Sequence, residues 1–558
     1  MLNLKNIFCC ISLLFALSSY ACVIPMALST RVEKAAYIIF AKPIKQTSFL
    51  SKNNIFTAYE MEVVSNIKGN YTQKRVSVIM LGGQIGEDIQ LSLPNIDVDY
   101  SKEYMLFLEE NELIDANQTF KISNPNILQA KPYADIQGII PVKNGVFIDV
   151  IAEKPMSLTD AFQKILRFNN STSSYTPNGK IFDPSTYNII PANHNIALRA
   201  ATITSLTDGS GTTRAKFRAG LVETTEELVI NGFGFGTTSG SVLFPNADDA
   251  GVSSISQVNS SDIIAWTDTQ IRLKIPFQAG TGNFKIYDAA GALLGSKAIA
   301  IEFAIIPTYS PYSGFTQSNR LFVDMVNKNT TGGYTFQYTA NFNAKTGAAA
   351  DFEKAMNTWI CQTGVNYKVS TIQATVGIDP LDQINVVSFD DSTLPAGTIA
   401  RCNLHLKGKA NGTCTLQNTF YYVTDIDIQF ATAVSWRFGN NPIAAADLDF
   451  NSTALHEIGH SLSLGHVIDP TSVMHYLIPT GQNARIVDAN SLAAANYVMA
   501  KYTTQSCLQK NLASTLQPMI PLAKATYCPL GNGGYDGGTA AGGSACKGKC
   551  APIVVKKL

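Results

Sequence analysis

Five residues, His456-Glu457-Ile458-Gly459-His460, carry the clearest chemical signal in the chain. His466 follows six positions after the second histidine, and Ser472-Val473-Met474-His475-Tyr476 comes shortly behind it. Four of the six histidines therefore fall between 456 and 475. On an α-helix, positions i and i+4 lie on one face, one above the other. His456 and His460 can thus offer two imidazoles to one metal ion, with Glu457 beside the open coordination position. His466 is too far along to bind from the same straight helix, so the helix must end and the chain must turn. Three neutral imidazoles leave a fourth position for water, the pattern of a catalytic rather than a structural zinc site. Zinc there would lower the pKa of water to about 7 and polarise a peptide carbonyl. Glu457 is placed to take the water's proton and later give it to the leaving amine. The bland alternative, ordinary core or surface histidines, fits a lone H-E-x-x-H better than it fits this longer pattern.

With the third histidine and the methionine turn, the stretch resembles the metzincin clan, and the eight-residue step from His466 to Met474 resembles the matrixins. The resemblance implies a zinc metalloendopeptidase with one catalytic ion. It implies His456, His460 and His466 as metal ligands, Glu457 as the catalytic base and Met474 as an apolar floor under the ligands. The chain departs from that template twice. Ser463 stands where the family has Gly, so a residue with a Cβ must take the tight turn at about 1–2 kcal/mol if it is left-handed, unless Gly465 relocates the turn. Ser-Val-Met-His-Tyr is similar to the astacin turn rather than the matrixin one. Tyr476 could then approach the zinc or stabilise the tetrahedral intermediate, or it could be a buried tyrosine of the turn, and both readings stay open. His475 reads as a turn residue, and His194 and His405 as isolated structural or exposed histidines. Matrixin domains often bind Ca2+, and Asp425 and Asp427 could do so, although no calcium-loop spacing is present. Arg401-Cys402 suggests the thiolate latch of some matrixins, but the rest of that signature is missing. Leu477-Ile478-Pro479 replaces the usual pocket wall after the turn, so the cleavage preference is not legible.

The elements around the motif have the matching order. Tyr334–Tyr338 reads as a strand, and Ala348–Trp359 as a helix with Phe352, Ala355, Met356 and Trp359 on one face. Ile384–Phe389 and Ile426–Phe430 read as strands, the metal-binding helix starts near Ser452 or Thr453 with Ser452 as its N-cap, and Asp488–Met499 reads as a last helix. These place an α+β metzincin-like catalytic domain at 306–505.

At 558 residues the chain exceeds one hydrophobic core, so it is read as multidomain. Residues 1–21 read as a secretory signal peptide, with Lys5 before the apolar run Ile7 to Leu17 and a small-x-small site at Ser19-Tyr20-Ala21. Residues 22–168 read as an all-β domain with strands near 36–41, 57–64, 76–81 and 104–108. A helix Leu158–Phe168 follows, capped by Ser157 and Asp160. Ile39-Phe40-Ala41-Lys42, Tyr59-Glu60-Met61-Glu62-Val63, Ile67-Lys68-Gly69 and Glu103-Tyr104-Met105-Leu106 resemble the OB-like barrels of the netrin class, which includes tissue inhibitors of metalloproteinases. That likeness suggests that Cys22 and this domain restrain the zinc site in cis, which unchanged activity after deletion of 22–168 would refute. Residues 169–198, rich in Asn, Ser, Thr and Pro, read as a linker. Residues 199–305 read as a β-sandwich. Its Ile230-Asn231-Gly232-Phe233-Gly234-Phe235-Gly236 and Trp266-Thr267-Asp268-Thr269-Gln270-Ile271 resemble an IPT/TIG immunoglobulin-like module, a spacer or a contact to surfaces or carbohydrate. No helix pattern follows the glycines, so a β-turn fits them better than a phosphate loop. Residues 506–558 form a Gly- and Cys-rich tail.

Lys+Arg 42 balances Asp+Glu 42, and no basic stripe argues for nucleic acid as a partner. Protein or peptide substrates are the partners that the zinc motif implies. No stretch approaches 18 uninterrupted apolar residues, so the mature chain is expected to be secreted, or held at a surface through a lipid on Cys22. In an exported chain the remaining eight cysteines suggest disulfides, with Cys402 and Cys414 the best local pair. Cys546 and Cys550 fit a disulfide or a small tail loop better than a zinc element. The competing function is a non-catalytic adhesion or inhibitor protein with a structural zinc site.

Overall fold

The computed structural model describes residues 26–86, 88–93, 98, 100, 102–111, 127–143, 145–147, 156–185, 187, 201–251, 254–256, 262–289, 292–309, 320–379, 381–409, 420–440, 442–502 and 517–524. The signal segment, Cys22, His194, Cys414, Cys507, Cys528, Cys546 and Cys550 lie outside them.

Five strands of the first unit form one closed ring. Tyr37–Ser51, Asn54–Lys68, Arg75–Leu81, Leu128–Pro132 and Glu103–Glu110 are neighbours in that order, and the last pairs back to the first. All pairs are antiparallel except Arg75–Leu81 with Leu128–Pro132. Closure removes free edges. The helix Leu158–Phe168 buries Leu158, Ala161, Phe162 and Ile165 against Phe40, Phe107 and Phe147. Ser157 caps it by accepting the Asp160 amide hydrogen, as the sequence suggests. Part of the expected linker folds back onto this core: Phe182 is buried, its ring 5.2 Å from that of Phe162.

Beyond Arg75–Leu81 the chain leaves the ring as a hairpin of β1 (Gly83–Ile85) and β2 (Asp88–Leu93). Gly83 has φ +142, and a Cβ there would lie 2.2 Å from Thr57 Oγ1, so this exit requires glycine.

The second unit is two four-stranded sheets. One runs Thr202–Asp208, Leu228–Phe233, Gln270–Leu273, Ile263–Trp266; the other runs Ser254–Ser256, Ser241–Pro245, Gly282–Tyr287, Leu293–Ile299. Leu228, Ile230, Phe244, Ile271 and Phe284 fill the space between them. The glycine stretch is a turn held by Asp268, whose Oδ1 accepts the Gly236 amide at 2.9 Å. The unit ends in β3 (Ile301–Ala304).

The third unit contains, in chain order, β4 (Tyr334–Tyr338), α1 (Ala348–Thr363), β5 (Tyr367–Val369), β6 (Asn385–Phe389), β7 (Ala400–Lys409), β8 (Phe420–Phe430), α2 (Phe450–Ser461) and α3 (Ala489–Tyr502). The sheet order is β5-β4-β6-β8-β7, parallel except for β7. Its apolar face and the helices share one core that includes Phe336, Phe352, Trp359, Phe430, Phe450 and Ile458. Residues 517–524, from the tail, pack here too: Met519 donates its amide to Met325 O at 3.1 Å and Leu522 to Gly364 O at 2.7 Å.

The hairpin of the first unit completes this sheet. β2 pairs antiparallel with β7, from Cys402 opposite Leu93 to Lys407 opposite Asp88, so one sheet spans two units. Gln90 ties the hairpin back by accepting the Ile55 amide at 2.7 Å. A buried ion pair joins Arg401 to Asp135 of the barrel. Strand β7 corrects the cysteine pairing expected from sequence. Its side chains alternate, with Ala400, Cys402, Leu404 and Leu406 facing the core, and Cys402 is a free, buried thiol. Burial, then the nearby Glu457 charge, pushes that thiol's pKa well up, so it stays protonated and belongs to the packing.

His405, on the other face of β7, is buried at this junction, with Nε2 3.3 Å from Asp88 Oδ1 and Nδ1 2.7 Å from Thr424 Oγ1. Burial lowers its pKa from 6.5 to about 4, against the opposing pull of Asp88; Lys407 and Lys328 push the same way as burial, and Asp379 opposes it. The unfolded chain binds a proton near 6.5 while the folded chain stays neutral. Stability is therefore complete above that pH and falls as pH drops towards 4. The loss reaches up to about 3 kcal/mol. Urea midpoints at neutral and mildly acid pH should diverge less in His405→Gln than in the wild type.

Candidate metal centre

Helix α2 is buried on every side, all twelve residues included. It starts two residues before the position expected from sequence, and its N-cap is Asp449 rather than Ser452. Asp449 Oδ2 accepts the Ser452 amide at 3.0 Å and its hydroxyl at 2.5 Å, so the serine serves the cap without being it. Arg485 clamps the same carboxylate, with Nε 2.8 Å from Oδ2. Asn451 donates to Asp351 O at 2.7 Å, and Trp359 of α1 donates its indole hydrogen to Leu455 O at 2.8 Å. Sixteen-residue α1 thereby fixes the depth of α2 in the core.

The helix period brings His456 and His460 together, their ring centroids 4.6 Å apart. The chain then reverses and returns His466, with ring centroids 5.2 Å from His456 and 4.9 Å from His460. The ligand atoms of the three residues lie within 4.8 Å of one another, and Nε2 of His456 and His466 are 3.3 Å apart. Every Nδ1 faces an acceptor. His456 meets Val473 O at 2.7 Å, His460 meets Leu464 O at 2.8 Å, and His466 meets Asp248 Oδ1 at 2.8 Å. Carbonyl and carboxylate oxygens can only accept here, so each Nδ1 carries the hydrogen and each Nε2 presents its lone pair. His460 Nε2 is buried without a hydrogen-bond partner, an arrangement that costs about 1–3 kcal/mol if nothing binds it. Burial, then His466, lowers the His456 pKa to about 3, and burial, then His456, takes His460 well below the usual value. Both rings are neutral at physiological pH, the form that binds metal. Three converging imidazole lone pairs suit zinc, and the residues present fit that ion.

The turn between the second and third histidines settles a point the sequence leaves open. Ser463 has φ +59, so the serine itself takes the left-handed conformation, and Gly465 does not relocate it. Its Oγ is buried without a hydrogen-bond partner. Ser463→Gly should relieve about 1–2 kcal/mol of backbone strain and return part of it as unfolded-chain entropy. The expected net gain is about 1 kcal/mol, read as a higher urea midpoint.

Met474 lies against the helix from below. A Cβ on Gly459 would come 2.4 Å from its Sδ and 3.3 Å from Trp359, so this glycine makes room for the methionine. Asp488, at the start of α3, holds the methionine turn: its Oδ2 accepts the Val473 amide at 3.0 Å and the Ser472 hydroxyl at 2.8 Å. His475 Nδ1 meets Val467 O at 3.0 Å, which makes it a turn residue. Tyr476 is half-buried with its ring edge-on to His475, centroids 5.0 Å apart. Glu457 is fully buried on α2. Asp427 accepts the Val386 and Asp379 amides at 2.8 and 3.0 Å, a structural role. Among the described residues only the three histidines form a cluster of metal-holding geometry, so Asp425 and Asp427 form no such group there.

Comparison with known families bears on this geometry. Residues 327–494 match the family model for Matrixin. The match covers β4 through the start of α3 and includes every histidine of the cluster. It supports a zinc-dependent metalloprotease domain acting on protein substrates. No curated protein matches the chain. Of the two carboxylates that brace the site, Asp488, legible in the sequence only as the start of a helix, lies inside the matched region, while Asp248, 218 residues from its histidine, lies outside it.

Proposed function

We propose that the chain is an exported zinc metalloendopeptidase that hydrolyses peptide bonds in proteins. The convergence of three buried Nε2 lone pairs, each fixed by a hydrogen bond at Nδ1, carries the reading. His456, His460 and His466 hold the ion. The bound zinc supplies Lewis acidity towards a water and a substrate carbonyl. Glu457, adjacent to the first ligand on the same buried helix, takes the attacking water's proton on its carboxylate and returns it to the leaving amine. Met474 keeps the floor of the site apolar and dry, and the buried walls strengthen each charge interaction inside. Tyr476 is assigned to the turn, where its ring packs on His475.

The closed five-stranded ring, with its first strand between the second and fourth, supports an OB-like, netrin-type reading of 22–168. The two facing sheets support an IPT/TIG-like reading of 199–305. Export rests on the apolar segment and cleavage site at 1–21.

Purified chain should carry one zinc and cleave casein; a chelator should abolish cleavage and added zinc restore it. Zinc bound without any cleavage would favour the adhesion or inhibitor alternative.

A further inference from the structure

His466 reaches its place through contacts outside the matrixin region. Its Nδ1 lies 2.8 Å from Oδ1 of Asp248, which belongs to the second β unit. Asp248 sits in a single turn, Ala247–Asp249, whose first amides are fixed: Asn246 Oδ1 accepts the Asp248 amide at 3.1 Å, and Gln278 O accepts the Ala247 amide at 2.7 Å. The carboxylate is mostly buried, with 13% of its side chain exposed. Two further contacts brace the loop that carries the histidine. Gly465 donates its amide to Ala304 O at 2.9 Å and Ile306 donates to Ser463 O at 2.8 Å, with a bridge between Ile305 and Leu464. The same Leu464 carbonyl accepts from His460. Just past His466, Ile468 fills the space beside Gly280, where a Cβ would come within 2.4 Å of its Cδ1.

We propose that Asp248 is a positioning residue of the metal centre, contributed by the β-sandwich unit, and that the zinc site is incomplete without that unit. This rests on the metalloprotease reading above. The carboxylate takes the Nδ1 hydrogen of His466, which selects the tautomer with its lone pair on Nε2. The carboxylate also fixes the orientation of the ring that presents that lone pair. A carbonyl does the same for His456 and His460, so His466 is the one ligand oriented by a charged group from another unit. The sandwich is then part of the site rather than a spacer in front of it.

The test is zinc affinity of the full-length apo-protein, measured by competition with a chromogenic chelator. The variants are Asp248→Ala, Asp248→Asn and, as a control for loosening the units, Arg320→Met. Arg320 pairs with Asp262 at 3.0 Å, both buried, at another point of the boundary. Asp248→Ala should weaken zinc binding by about 10- to 100-fold. Asp248→Asn, which keeps an acceptor oxygen and loses the charge, should fall between Ala and wild type. The absorption bands of the Co2+-loaded protein should shift in both Asp248 variants. Arg320→Met should lower the melting temperature and keep the affinity. Wild-type affinity in Asp248→Ala overturns the proposal, as does an equal loss in Arg320→Met, which would trace the effect to docking of the unit. Wild type that binds no zinc takes down the metalloprotease reading itself, and this proposal with it.

Discussion

Glu457→Gln should leave one zinc per chain and slow peptide-bond cleavage by about 10²- to 10⁴-fold, the usual contribution of a positioned general base. The substitution keeps the side-chain volume, which matters because Glu457 is fully buried on a helix with no exposed residue. An amide cannot take a proton from water at neutral pH, so the step it removes is the proton transfer and not the metal. The three imidazoles are held at Nδ1 by Val473, Leu464 and Asp248. Steady-state cleavage of a protein substrate beside zinc content gives the answer. Equal loss of zinc and activity would make Glu457 a structural residue, and undiminished cleavage would remove it from the chemistry.

Arg485→Ala should destabilise the catalytic unit by about 3–5 kcal/mol, the cost of stranding one half of a buried ion pair. Arg485 and Asp449 are both buried, and the guanidinium meets both carboxylate oxygens. Arg485 also donates to Gly439 O at 2.8 Å. The stranded group is the N-cap of α2, so unfolding would start at the helix that carries His456, Glu457 and His460. The helix N-terminus offsets part of the cost of the unpaired charge, by about 0.3–1 kcal/mol. Removing both partners in Asp449→Asn with Arg485→Met should cost less than Arg485→Ala alone, since no unpaired charge remains. Thermal unfolding of the three proteins orders them; a single variant within 1 kcal/mol of wild type would show the pair to be dispensable.

Local patterns made most of the catalytic unit readable. Tyr334–Tyr338 has the bounds expected from sequence, α1 starts where expected and ends a few residues later, and α3 lies slightly C-terminal of its expected bounds, because alternation and helical spacing are properties of a short window. The histidine cluster was legible for the same reason, as i, i+4 spacing fixes two of its three members. What escaped was set by contacts between distant segments. Strand β7 alternates apolar and polar residues from Ala400 to Leu406, yet both its faces are buried there: Arg401, Asn403 and His405 look exposed in the sequence, but Arg401 is buried against Asp135 of the barrel and Asn403 donates to Gln429 of β8. Asp248 has no local signal at all, since its partner is in another unit. The helix start was shifted because Asp449 and Ser452 are both good caps, and the ion pair with Arg485 selects the aspartate. This sharing of elements also changes what the deletion of 22–168 reports. It removes β2 and Asp135, which respectively pair with β7 and with Arg401, so it tests folding of the catalytic sheet together with any restraint.

X-ray absorption at the zinc edge of the metal-loaded, full-length protein tests the central claim most directly. Three imidazole nitrogens and one oxygen around each zinc are the expected result, a site with one position left for water. A sulfur scatterer, or a fourth imidazole closing the shell, would contradict it.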